Sequence, residues 1–408
     1  MSPLPSVNIA FENGNIGGSL ATPDGVFGMI LPWTSLQSGT SMLIKSLSDA
    51  VGIGIDQVNE PRAYRALKQF YDEAGTGTKL WIIDSTAGTG SNFSLTGSAA
   101  AKLMQDSNGE ISMIFDVYDH NASGLLLNNA QGIEQEIVDA ISVATAFAEN
   151  SAEINKKPVI IVLEAYNPAL NPDGTVNVAA LIDLTQQSSN RTAVLMGNEL
   201  PVSSALENGL GTAIGTLAGR LAATQVQRNI GRVKDGPVRP QMLFLGDKLA
   251  EASDLDAIHE KGYITFRRHV GKAGYFFSDD PTATATTDDF RFLNRLRVID
   301  KAYRIAFGVL TEYILDEVPL NADGTINAIY AKSIEGHVER ELVQLMTSNG
   351  ELSGDPTDND DNGVVVQVDT TNNVAQSSTI NVTLRVRPFG HARFFEVSLG
   401  FDINANNV

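Results

Sequence analysis

The chain has no cysteine in its 408 residues. That absence removes disulfides, thiolate zinc sites and thiol nucleophiles together, and it fits synthesis in a reducing compartment. Aromatic residues are lean at 7%, and no stretch approaches the ~20 apolar residues that span a bilayer. Positive charge is also short: 29 Lys and Arg stand against 48 Asp and Glu, for a net charge of −19. Such a surface does not suit nucleic acid, whose phosphates need cations. It favours solubility and mutual repulsion of free copies. The opening residues, MSPLPSVNIAFENG, have neither the basic start nor the apolar core of a secretory signal. The expectation is a cytoplasmically made protein with no membrane insertion and no nucleic-acid partner.

What is present divides the chain, and its length predicts two or three domains. Residues 1–29 are short on charge, with Pro3, Pro5, Gly14, Gly17 and Gly18 around one strand-like run bearing Val7, Ile9 and Phe11. This predicts an extended N-terminal arm. Residues 30–250 alternate helical and apolar segments. Thr40–Val51 reads as a helix. In Pro61–Glu73, Tyr64, Leu67, Phe70 and Tyr71 share one stripe between a first-turn proline and Gly75. The apolar runs are 79–84, 111–116, 158–164, 193–196 and 241–245, separated by helical periodicity over 132–150, 176–187 and 200–220. Short Ile/Val/Leu runs between helices predict parallel strands buried on both faces. The expected class is α/β, a mostly parallel sheet flanked by helices.

Residues 251–394 predict a second, α+β domain. It would hold two strand-like pieces in 262–277 and helices over 288–315 and 327–347, with an acidic loop over 351–370. It would end in a β-hairpin. Ser378–Arg387 alternates Ile380, Val382, Leu384 and Val386 with polar residues, Pro388-Phe389-Gly390 turns the chain, and 394–401 returns. A long strand at a chain end leaves an open row of N–H and C=O groups, so it is either covered within its own fold or pairs with another copy. Residues 395–408 are therefore expected to form a C-terminal arm. The sequences NPDGTVN (171–177) and NADGTIN (321–327) echo each other, and predict the same turn with a terminal Asn capping a helix.

Three candidate chemistries are weak. Asp358, Asp360, Asn362 and Asp369 match the spacing of a calcium loop. The last ligand is the shorter Asp, however, and Val364–Val366 reads as strand where that motif has a helix. Gly211, Gly215 and Gly219, four apart, fit close helix packing better than a phosphate loop. Ser85 and His120 follow apolar runs, but no G-x-S-x-G elbow exists, and five scattered histidines give no metal-ligand pair. No cofactor and no catalysis are expected.

Four segments carry a resemblance: PRAYRALKQFYDEAGTGTKLWIID (61–84), LAGRLAATQVQRNIGRVKDGPV (217–238), the stretch GYITFRRHVGKAGYFFSDDPTATATTDDFRFLNRLRVIDKAYR (262–304), and LRVRPFGHARFFEVSLGF (384–401). Together they resemble the contractile tail sheath proteins of phages and related injection systems. The resemblance implies a structural subunit of stacked hexameric rings around an inner tail tube, with baseplate and tail terminator proteins as further partners. It implies contraction from a metastable extended state, driving the tube through an envelope. It also implies a place in a virion tail or injection particle assembled in the host cytoplasm. Strand exchange would fall to Val7, Ile9 and Phe11 and to Phe395, Val397 and Leu399. Arg291, Arg295, Arg297 and Arg304 are candidates for contact with an acidic neighbour or the tube. The alternatives are a two-domain α/β enzyme or ligand-binding module, and a non-contractile tail or baseplate ring component.

Overall fold

Six strands gather the longest apolar runs: β1 (Phe27–Leu31), β2 (Met42–Ile44), β3 (Leu80–Asp84), β4 (Met113–Asp116), β5 (Ile160–Ala165) and, after a two-residue β6 (Ser188–Ser189), β7 (Thr192–Met196). The computed structural model describes residues 26–33, 39–85, 89–118, 131–204, 212–358 and 360–400. The strands lie in the order β2-β3-β1-β4-β5-β7. All pairs are parallel except the edge pair β2–β3. Every residue of β1, β4, β5 and β7 is buried, as expected for a sheet covered on both faces.

Four of the five expected apolar strands therefore exist, and the fifth does not. Residues 241–245 contribute only β8 (Phe244–Leu245), which turns at Gly246 (φ +65°) and pairs antiparallel with β9 (Lys248–Leu249). The central strand is instead β1, FGMIL, at the point where the sequence predicts the end of an arm. Its glycine and the Pro/Gly-rich stretch before it hide it. Gly28 fits closely there: a Cβ would come within 3.2 Å of the Ile111 and Leu103 side chains.

Helices flank this sheet: α1 (Leu47–Gly52), α2 (Pro61–Ala74), α3 (Ala99–Asp106), α4 (Gln135–Glu153), α5 (Ile214–Ala223) and α6 (Leu255–Glu260). The expected helix over Thr40–Val51 is split into β2 and α1, because Ser46 caps the latter by accepting from the Asp49 N–H. Residues 176–187 hold two 3-10 turns rather than a helix. The small-residue series does what its spacing predicts. A methyl group on Gly215 would sit 2.1 Å from the Ala66 carbonyl oxygen, and one on Gly219 would sit 2.5 Å from that of Phe70. α5 thus lies backbone against backbone on α2. Gly211 lies outside the described residues.

The chain then forms the short ladders β10 (Phe266–Arg267) with β11 (Phe276–Phe277), and β12 (Ala283–Thr284) back onto β6. Two helices follow, α7 (Leu293–Thr311) and α8 (Ala328–Leu342). A final antiparallel pair is β13 (Val364–Val368) with β14 (Val382–Val386). Val364 joins Val226, Val298, Val338, Leu342 and Met346 in a second core, with Val366, Leu384 and Val386 packed on it. The two echoed loops are built alike. In each, the first Asn N–H donates to the Thr carbonyl at 2.8 Å (Asn171 to Thr175, Asn321 to Thr325), and Asp173 or Asp323 accepts from that Thr. Asn327 caps α8 by accepting from Ile329, whereas Asn177 makes no side-chain cap.

Candidate assembly interface

The C-terminal edge of a parallel sheet is where α/β ligand sites sit, and here it holds a buried acid cluster. Asp84, Asp116 and Glu164 end three strands, and Glu134 and Glu136 open α4. Asn92 donates to Asp116 at 2.8 Å, Tyr118 N–H to Glu164 at 2.6 Å, Asn167 N–H to Glu134, and Thr89 N–H to Glu136. Arg62 pairs with Glu164 and also donates to the Tyr118 carbonyl. Burial pushes Asp116, Glu134 and Glu164 each up to about 7. Ser85 is tied to Asn92, while His120 lies outside the described residues. Among the described residues no group of three or more His, Asp and Glu is placed to hold a metal. Among the described residues the cluster offers no nucleophile–base pair.

It does predict a pH dependence. Unfolded, these carboxyls titrate near pH 4. Folded, they hold their protons until about 7. Folding therefore takes up protons between those values, and stability falls as pH rises through the window and levels off above it. The unfolding free energy at pH 6 is expected to exceed that at pH 8 by roughly 1 kcal/mol per carboxyl, read as a higher urea midpoint at pH 6. Asp116→Asn should flatten that slope.

The β13–β14 ladder carries an open edge. Arg387 N–H donates to Gly363 and Asp369 N–H to Asn381, so in the β13–β14 register the bonded pairs are 365–385 and 367–383. The N–H groups of Val364, Val366 and Val368 then point away from one edge, and those of Val382, Leu384 and Val386 from the other. The β13 edge is plugged at its two ends, with Val364 N–H donating to Asn362 Oδ1 at 3.0 Å and Val368 N–H to Glu335 Oε1 at 2.8 Å. The three outward N–H groups of β14 have no partner among the described residues. Buried backbone donors are almost always paired, so this edge is a docking edge or a solvated one.

The expected terminal hairpin is corrected here. β14 pairs with β13 and not with 394–400. Residues 388–400 contain no helix or strand, and 401–408 lie outside the described residues. Alternation in 378–387 marks a strand but not its partner. β13 wins because Val364, Val366 and Val368 lie on the same face as Val386, Leu384 and Val382: Val364, Val366, Leu384 and Val386 cover the second core, and Val368 and Val382 cover a smaller third cluster with Ile326 and Ile334. Residues 394–400 are bare: Phe395 is 83% exposed, Val397 81% and Leu399 96%. Val7, Ile9 and Phe11 lie outside the described residues.

The basic residues divide. Arg297 is 4% exposed and donates to the Leu221 and Thr224 carbonyls at 3.1 and 2.9 Å, closing the C-terminus of α5. Arg304 donates to the Pro158 carbonyl at the entry to β5. Burial removes Arg297 from a tube-facing surface, while Arg304 is tied internally and half-buried; helical periodicity alone does not reveal which way a basic residue turns. Arg291 and Arg295 are half-buried around the ring of Phe292. The calcium candidates make local bonds and form no metal-holding group among the described residues: Asn362 donates to Glu339, Asp358 accepts from the Asp360 N–H, and Asp369, beyond β13, accepts from the Thr371 N–H.

The sequence pattern described as DUF2586, N-terminal domain, matches residues 4–281, and that of DUF2586, C-terminal domain, matches 289–406. No curated protein matches the chain. Among solved structures it is similar to the sheath complex of the PVC extracellular contractile injection system in its contracted state. The TM-score is 0.63 at 13% identity, covering 99% of each chain. It is similar to a chain of the anti-feeding prophage baseplate, with TM-score 0.58, 16% identity, 99% of this chain and 100% of that one. It is also similar to a sheath tail protein from Desulfitobacterium hafniense, with TM-score 0.52, 13% identity, 90% of this chain and 94% of that one. The fold of sheath proteins thus runs through nearly the whole chain.

Proposed function

The chain belongs to the DUF2586 family, and from that premise we propose that it is a sheath subunit, joined to its copies by shared β-strands. The observation that carries this reading is the pairing of an unsatisfied β14 edge with an exposed, alternating apolar segment, Phe395, Val397 and Leu399, on the same chain. A neighbour's segment laid along β14 would satisfy the three outward N–H groups and remove those apolar side chains from water. Each backbone bond so made contributes ~0.5–1.5 kcal/mol net, and each buried large apolar side chain about 1.5–3 kcal/mol. The run bearing Val7, Ile9 and Phe11 supplies the second exchanged strand in this scheme, and Arg291 and Arg295 remain its candidates for contact with an acidic neighbour.

The finer picture belongs to the same proposal. Six subunits close a ring, rings stack around an inner tube from the baseplate to a terminator, and the stack shortens irreversibly while the strand joints hold. The α/β body serves as a rigid block, with no cofactor and no catalysis. The particle is a virion tail or an injection device assembled in the host cytoplasm. Negative-stain microscopy of the purified chain tests this: sleeves or cylinders are expected, and a small monodisperse oligomer at every concentration would refute it. The likeness to a baseplate chain favours a second reading, a ring at the base of such a tail, which would give closed rings and never sleeves.

A further inference from the structure

The bare segment from Phe394 leaves the body at a built joint. Arg393 reaches back to Asp279 with Nε at 2.6 Å from Oδ2 and Nη2 at 3.3 Å from Oδ1. Its guanidinium lies 3.6 Å above the ring of Phe292. A two-pronged contact to a carboxylate, stacked on an aromatic face, uses the geometry that separates arginine from lysine. Asp279 is only 5% exposed and Asp280 beside it is fully buried. Both accept from the side-chain amide of Asn229. Asp280 also accepts the Asn294 N–H at 3.0 Å, and its carbonyl accepts the Leu293 N–H at 2.9 Å, which fixes the start of α7. The joint is thus anchored to the frame of the C-terminal half.

We propose that Arg393 is a clasp: with Asp279 and Phe292 it sets the direction in which residues 394–400 leave the body, and its release lets that segment pivot. The claim concerns the single chain and stands whether or not the segment joins a neighbour. Arg393 holds the Asp279 carboxyl below its ordinary range, while burial and the Asp279 charge push Asp280 well above it. One negative charge therefore faces one guanidinium, and removing the guanidinium strands a buried carboxylate. His391 and His259 border the same place, facing Arg295, Asp279 and Arg393, and Arg291, Arg267, Asp279 and Arg393 respectively. Around Asp279, then, the cations outnumber the carboxyls. Arg393 is the one of them that bonds Asp279 directly.

Because the chain has no native cysteine, two can be added cleanly. Leu345→Cys and Leu399→Cys, both at exposed positions, would carry spin labels in the full-length chain. Pulsed EPR on the unassembled fraction from size exclusion would read the distance between body and segment. A narrow distribution is expected with Arg393 present. Arg393→Ala should widen it several-fold, Asp279→Ala should do the same, and Arg393→Lys should fall between. A broad distribution in the otherwise unaltered chain would overturn the clasp. So would an unchanged width in Arg393→Ala with an unchanged thermal melt. If Asp279→Ala fails to fold, Arg393→Ala alone decides, since Arg393 lies outside every packed element.

Discussion

A chain cut after Arg393 is expected to fold and melt like the intact protein and to form no polymer. The deletion removes residues 394–408; of these, 394–400 are all exposed, so little buried surface goes with that stretch. Arg393 and its bonds to Asp279 stay. In the proposed assembly, however, each subunit gives up a strand that would contribute about three edge bonds at ~0.5–1.5 kcal/mol each, plus the burial of Phe395, Val397 and Leu399. Losing about 6 kcal/mol or more at every joint changes an association constant by more than ten-thousand-fold. Sedimentation velocity with thermal melts checks it: monomer with an unshifted melt is the expected result. Polymer of normal length from the truncated chain would remove this segment from the assembly.

The second large effect is internal. Gly215→Ala should destabilise the α/β body by about 3 kcal/mol, the upper part of the range for overpacking. The added methyl would sit 2.1 Å from the Ala66 carbonyl oxygen and 2.8 Å from the Gln69 Cβ. Backbone cannot swing aside as a side-chain tip can, so α5 must lift off α2. Gly336→Ala, in the middle of α8, is the control. A Cβ there meets nothing within 4 Å, and replacing an exposed helical glycine gains about 0.5–1 kcal/mol. Urea unfolding of the two variants should move the midpoint in opposite directions. Equal shifts would mean that the glycines serve flexibility rather than contact.

The contrast between these sites shows what was legible in the sequence. Local and periodic signals carried through: four parallel strands, α2 with its proline start, the small-residue face of α5 and the twin Asp-Gly loops. Choices made by tertiary packing did not. The alternation of β14 predicts a strand, yet its partner β13 is set by which valines complete the second core across an acidic loop. β1 was hidden because a central strand with a glycine, lying next to a Gly/Pro-rich stretch, has no strong pattern of its own. Arg297 and Arg304 read as surface charge and turned out to bind carbonyls of other elements. The acid cluster and the Arg393 clasp join residues from distant parts of the chain, and no spacing rule finds them. The exposed arm was legible as an alternating apolar run, though not as a segment without a partner in its own chain.

The most direct measurement is hydrogen exchange of the fragment covering 379–387, read by mass spectrometry in unassembled and assembled chain. In the unassembled chain the inward amides of Thr383 and Arg385 should be slow, and those of Val382, Leu384 and Val386 fast, as the ladder requires. On assembly those three should become slow together, because a neighbour's strand now accepts from them. Exchange that is unchanged by assembly would contradict strand sharing at β14.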